Sequence, residues 1–236
     1  MTTIDLAAHP LTHWTGPLGL PDFPKLRDGE FGPVFDAALA AHEAEIAAIA
    51  GSAETPTVEN TLAALELSGK PLDRISSIFW LRAGAHTNDA IRALEREVAP
   101  KMARHYSAIS MNAELFARID RLYRERATLG LDAETLRVLE QTWKGFVRAG
   151  AKLDADGKKR LAAINEELAS LGAQFGQNVL ADESSWALFL DGGDDLAGLP
   201  DFLVSAMAGA AEERGQKGRY AVTLSRSIVE PFLTFS

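Results

Sequence analysis

The chain has no cysteine among its 236 residues, so disulfides, catalytic thiolates and cysteine-based zinc sites are excluded. It also lacks any apolar run approaching the roughly 18 residues of a membrane-spanning helix. Its first residues, MTTIDLAAHPLTHW, have neither the basic start nor the apolar stretch of a secretion signal. From these absences we expect a cytoplasmic protein with no membrane partner.

Positive charge is missing from one long stretch. Residues 161–213 contain no Lys or Arg but ten Asp or Glu, whereas the rest of the chain carries 24 bases against 23 acids. The net charge of −9 argues against nucleic acid as a partner. The acidic stretch is interpreted as a solvated face, with a surface matched to a basic partner or to a further part of the same protein as the alternative.

Apolar residues make up 47% of the chain and mostly recur at helical spacing, which indicates a folded helical protein. Helix starts are predicted at the capping residues Thr57, Asn112 and Asp132 and at the start signal formed by Thr87, Asn88 and Asp89, and helix ends at Gly51 and Gly69. Pro100 is predicted to kink or split its helix near Ala99. A long helix over 155–180 carries one apolar face, formed by Leu161, Ile164, Leu168, Leu171, Phe175 and Val179.

The pattern changes after Asp182, where apolar residues alternate at 186–190 and again at 220–224, which predicts two short strands. We therefore predict a mainly α fold: a multi-helix array with a small two-stranded β element near 185–224. Its expected parts are an extended N-terminal arm (1–32), a helical lobe (33–181) and a β-hairpin-like element with an intervening helix (182–236). Five apolar residues near the end need cover from elsewhere: Ile228, Val229, Phe232, Leu233 and Phe235.

The closest approach to a catalytic motif is the string from His42 to Ile46, His-Glu-Ala-Glu-Ile. A zinc peptidase helix has His-Glu-x-x-His, in which histidines four residues apart bind one metal and the glutamate activates water. Here Ile46 occupies the second ligand position. We therefore predict no metal site at His42 and place it, with Glu43 and Glu45, on the wet side of a surface helix.

Other candidate residues form no convergent cluster in the sequence. His9 and His13 are separated by Pro10 in a segment without helical pattern, so a metal site there is a weak alternative, and His86 and His105 have no neighbouring ligands. The acidic pairs Glu95 with Glu97 and Glu166 with Glu167 are explained as charged helix faces. Arg118, Arg121 and Arg124 form a basic stripe for which ion pairing is favoured over phosphate binding. No catalytic or metal residue is assigned, and the substrate-binding residues stay unknown.

Several strings nevertheless occur together in a distinctive order. They include LPDF at 20–23, AALAAHEAEIAAIA at 37–50, PTVENTLAALELSG at 56–69, HTNDAIRALEREVAPK at 86–101, FGQNVLAD at 175–182 and VTLSRSIVEPFLTFS at 222–236. With these strings the chain resembles the N-terminal region of the thimet-oligopeptidase-like zinc metallopeptidases, in particular the peptidyl-dipeptidase (dipeptidyl carboxypeptidase) and oligopeptidase A branches. The resemblance covers nearly the whole chain.

The resemblance implies a helical lobe of a two-lobed, channel-forming enzyme that cleaves short peptides, with C-terminal dipeptides as products in the nearest branch. It places the family's zinc, the catalytic helix and a further glutamate beyond Ser236, so no cofactor is expected in this chain. The first hypothesis is therefore a non-catalytic lobe that shapes the substrate channel. The alternatives are a stand-alone helical module that binds peptides or a catalytic subunit, or associates with itself through the C-terminal apolar residues, and a folded remnant without function.

Overall fold

The computed structural model describes residues 4–236 and divides the chain into two compact units, Met1–Ala173 and Gln174–Ser236. The predicted boundary at 181–182 lies further along the same long helix. The fold is mainly helical with one small antiparallel sheet, which confirms the predicted fold class. Within residues 4–236, no helix is both long and apolar enough to cross a membrane.

Unit 1 is an array of helices that follow one another with short connections. Its helices are α1 (Phe31–Ala50), α2 (Ala64–Leu67), α3 (Lys70–Ala85), α4 (Asp89–Ser110), α5 (Ala113–Glu125) and α6 (Ala133–Arg148), and the long α7 (Ala155–Ser185) begins in it. A π-helical turn, Val58–Ala63, leads directly into α2.

The predicted caps Thr57, Asn112 and Asp132 are confirmed, and within the start signal at 87–89 the cap is Asn88; each of the four accepts a hydrogen bond from the backbone N–H three residues further on. At Thr57 the arrangement is reciprocal: the Asn60 N–H donates to Thr57 Oγ1 at 3.1 Å, and the Thr57 N–H donates to Asn60 Oδ1 at 2.8 Å. Each cap satisfies backbone donors that a helix start otherwise leaves unpaired.

Helix α4 runs uninterrupted through Pro100, so a split near Ala99 is wrong. A proline inside a helix removes one backbone hydrogen bond and crowds the preceding turn. Here Val98, Ala99 and Met102 are buried beside it, and this tertiary packing holds the helix together across the lost bond.

The main core of unit 1 is mostly aliphatic and contains three packed phenylalanines. Phe79 of α3 packs against Phe31 and Phe35 of α1, with ring centroids 5.5 and 5.2 Å apart. The predicted extended arm joins this core, because Leu11 and Leu26 are buried in it. The arm also contains three 3-10 turns, at Pro17–Gly19, Phe23–Lys25 and Asp28–Glu30. Burying side chains of this size stabilises a fold by about 1.5–3 kcal/mol each.

Unit 2 contains the end of α7, the strands β1 (Ala187–Leu190) and β2 (Tyr220–Thr223), and the helices α8 (Asp201–Glu213) and α9 (Arg226–Phe235). The strands pair antiparallel with Leu188 opposite Val222, which confirms the two predicted strands. Leu203 and Met207 of α8 pack with Val222 and Ile228 to form its core.

Most of the cover that the five C-terminal apolar residues were expected to need comes from unit 2 itself. Ile228 is buried, and Phe232, one turn further along α9, packs against the same core. Val229 is half-buried. Only Leu233 and Phe235 stay exposed, at 73% and 46%.

Two adjacent residues of α8 test this core. Leu203 is fully buried, whereas Phe202 is 61% exposed. We expect Leu203→Ala to destabilise unit 2 by about 2–5 kcal/mol, because a buried cavity replaces the leucine. Phe202→Ala removes a larger side chain but is expected to cost much less. Amide hydrogen exchange in β1 and β2 measures both, and equal losses of protection would contradict this packing.

Candidate functional site

His42 lies in the interior of unit 1, and its predicted position on the wet side of α1 is wrong. Its exposed fraction is 8%, and Ala38 and Ile46, four residues before and after it, are buried as well. Residues four apart lie on one face of a helix, so His42 lies on the same buried face of α1 as Ile46. Glu43 and Glu45 are exposed as predicted.

The residue that meets His42 is His105 of α4. His105 Nε2 lies 2.9 Å from His42 Nδ1, and the two ring centroids are 4.9 Å apart. On its other side, His42 Nε2 lies 3.0 Å from the hydroxyl of Ser68, which follows α2. The histidine pair, His42 and His105, therefore connects α1, the end of α2 and α4.

The hydrogen bonds fix which ring nitrogens carry protons. The Ser68 hydroxyl donates to the Leu65 carbonyl at 2.7 Å, so its oxygen accepts from His42 Nε2–H. Nδ1 of a neutral His42 then has a free lone pair, which accepts from His105 Nε2–H. For two neutral imidazoles, this pattern places the proton of each ring on Nε2.

One polar atom of the pair is left over. His105 Nδ1 is buried and has no hydrogen-bond partner, and the nearest carboxylate oxygen is Glu43 Oε1, 3.7 Å away. That distance is too long for a hydrogen bond to a neutral ring. The Glu43 side chain is 69% exposed, so it faces water on one side and His105 on the other.

Burial lowers the pKa of both histidines. For His105, burial acts first and the neighbouring His42 lowers the pKa further, while Glu43 opposes them. For His42, burial lowers the pKa, and the carboxylates of Glu45 and Asp73 partly offset it. Burial therefore favours the neutral form of both rings at neutral pH, and two neutral rings fit the hydrogen bonds described above.

A surface groove between α1 and α4 runs past His105. One cavity of about 310 Å³ is lined by Leu39, Glu43, Lys101, Arg104, His105 and Ala108, and a second of about 170 Å³ shares Glu43, His105 and Ala108 with it. The cations at its edge are already paired, Lys101 with Asp36 at 2.6 Å and Arg104 with Glu166 at 2.8 Å.

The histidine pair does not fit a catalytic metal. Ile46, in the position of a second zinc ligand, is buried among apolar side chains, and the facing nitrogens of His42 and His105 bond each other. Within residues 4–236, no group of three or more His, Cys, Asp or Glu is placed to hold a metal ion.

The remaining candidates are dispersed. His9 accepts a hydrogen bond from the Leu11 N–H through Nδ1, and His13 and His86 are exposed. Glu166 is the partner of Arg104. Arg121 and Arg124 pair with Glu125 and Asp120, as predicted for the basic stripe.

Arg118 departs from that stripe. It is buried and donates to the Ser52 and Glu54 carbonyls and to Asn60 Oδ1, and so holds the loop before the π-helical turn. A guanidinium supplies several donors in a fixed plane, which suits this cluster of oxygens. Its role is therefore structural.

The amino-acid sequence is similar to those of several known peptidases. No family model matches the chain. It is 36% identical over 223 residues to a dipeptidyl carboxypeptidase of Escherichia coli, covering 94% of this chain and 33% of the relative. The similar enzyme of Salmonella typhimurium is 36% identical over 92% of the chain. An oligopeptidase A of Haemophilus influenzae is 30% identical over 42%. The chain spans about a third of the length of the two carboxypeptidases.

A glycine substitution tests the placement of His42. Gly69 has φ +73°, and a Cβ there would lie 2.8 Å from His42 Cε1. Gly130, with φ +63°, has open space at the same position and is the matched control. Both alanine variants carry the left-handed backbone strain, but only Gly69→Ala crowds the imidazole. We expect it to lower the free energy of unfolding by about 1–3 kcal/mol more than Gly130→Ala. Urea titrations measure both, and equal effects would contradict the placement.

Proposed function

We propose that this chain forms a non-catalytic helical lobe of a zinc-dependent oligopeptidase, because it is similar over nearly its whole length to dipeptidyl carboxypeptidases. The observation that carries the proposal is the coverage: the match takes in 94% of this chain but only 33% of the relative. The lobe would shape a channel for short peptides, and the complete enzyme would release C-terminal dipeptides.

The chemistry of the described residues supports a non-catalytic role. Catalytic zinc sites use three protein ligands and keep a fourth position for water or substrate. In this chain the one near-match to a zinc helix has Ile46 in the second ligand position, and its first histidine is engaged by His105 and Ser68. The proposal therefore assigns zinc and the attacking water to another part of the enzyme.

The exposed apolar residues of α7 support a lobe that contacts further protein. Leu168, Leu171 and Phe175 are 60%, 52% and 71% exposed, although they lie on the apolar face that the sequence predicted for this helix. An apolar face that stays open on a folded chain is typical of an interaction surface.

The same exposed face favours a second candidate function, a stand-alone helical module that binds peptides or assembles with a separate subunit. Light scattering and a peptide titration separate the two. A monodisperse monomer that binds no short peptide counts against the module, whereas stable self-association or saturable peptide binding supports it.

A peptidase assay tests the proposal on the chain as it stands. We expect no hydrolysis of an internally quenched short peptide by the purified 236-residue chain, with or without added zinc, because no set of metal ligands converges among residues 4–236. Hydrolysis that a chelator abolishes and zinc restores would contradict a non-catalytic lobe. The coding sequence gives the second test: a continuation that encodes a His-Glu-x-x-His helix supports the proposal, and a stop after codon 236 counts against it.

A further inference from the structure

The hydrogen bonds around the histidine pair all run in one direction. Protons point from His105 to His42, from His42 to Ser68 and from Ser68 to the Leu65 carbonyl. This series of hydrogen bonds begins at a ring nitrogen that receives no hydrogen bond, the buried and unpartnered Nδ1 of His105. The next proton that the cluster binds must therefore enter at this nitrogen or break a bond of the series.

We propose that the histidine pair is a proton-sensitive contact that joins α1, the end of α2 and α4 at neutral pH and weakens in acid. The first proton binds His105 Nδ1 and forms an ion pair with Glu43, 3.7 Å away, and leaves the bond to His42 intact. The only ring nitrogen left to bind a second proton is His42 Nδ1. That nitrogen accepts the hydrogen bond from His105. Once it is protonated, the two facing ring nitrogens both carry a hydrogen and neither can accept, so the contact breaks.

Carboxylates around the pair favour its protonation, whereas repulsion between two charged rings disfavours a second proton. Glu43 and Glu45 of α1 and Asp73 of α3 favour the charged histidines. On α4, Lys101 and Arg104 are already paired with Asp36 and Glu166. The ring centroids of Tyr106 and His105 are 5.5 Å apart. Burial raises the pKa of the Tyr106 phenol, so this side chain stays neutral. A second charge would also lie beside the first, inside the protein.

The sign of the pH effect follows from the lowered pKa values. An unfolded chain binds protons at its histidines near pH 6.5, whereas burial delays this uptake in the folded chain. The pair's contribution to stability is therefore complete above pH 6.5 and is lost progressively as the pH falls below it. For each proton that the unfolded chain binds and the folded chain does not, the folding equilibrium constant falls by up to about tenfold per unit decrease in pH. For two such protons it falls by up to about a hundredfold.

Urea unfolding of the full chain between pH 8 and pH 5 tests the proposal. His105→Gln keeps an N–H donor for His42 Nδ1 but binds no proton, so we expect the pH dependence to fall toward half of the wild-type slope. His86→Gln removes an exposed histidine and is the matched control, with wild-type pH dependence expected. A His105→Gln chain that loses stability in acid as steeply as the wild type would overturn the proposal.

Glu43→Gln keeps the test decisive even where His105→Gln does not fold, because Glu43 is exposed and its amide replacement preserves size. Without the carboxylate the first proton binds His105 less readily. We therefore expect a steeper loss of stability between pH 6.5 and pH 5 than in the wild type, with little change at pH 8. The same pH profile as the wild type would overturn the assignment of the first proton to His105 Nδ1.

Discussion

The hydrogen bond between His42 and His105 ties α1 to α4 inside unit 1. It is polar and buried, and it joins two residues that are 63 positions apart in the chain. A buried polar group is costly unless its bonds are made, so the pair constrains what surrounds it. Ser68 must turn its proton away from His42, and residue 69 must be a glycine small enough to lie against the imidazole.

Much of the local structure could be predicted because its signals lie within a few residues. Thr57, Asn88, Asn112 and Asp132 each bond an N–H three residues away, so the helix starts follow from residue type and spacing alone. The period-two alternation around β1 and β2 is equally local. A split of α4 at Pro100 is wrong because the packing that holds this helix together across the proline comes from other parts of the fold.

The histidine pair could be predicted only in part. The burial of His42 was available in the sequence, because Ile46 lies four residues further along the same helix face. Its partner was not, since nothing near His105 in the chain indicates that α4 crosses α1 at that point. The same holds for Arg118, whose oxygen partners belong to residues 52–60. The string at His42–Ile46 resembles a zinc helix in sequence, but its structural role depends on contacts with residues that are distant in the chain.

The central claim is that both histidines are neutral and share one directed hydrogen bond. Long-range proton–nitrogen correlation of the ¹⁵N-labelled chain at pH 8 tests it directly, because the two imidazole nitrogens give distinct shifts when only one carries a proton. We expect both His42 and His105 to carry a proton on Nε2 and none on Nδ1. An Nδ1-protonated form of either ring, or averaged shifts like those of an exposed histidine, would contradict it.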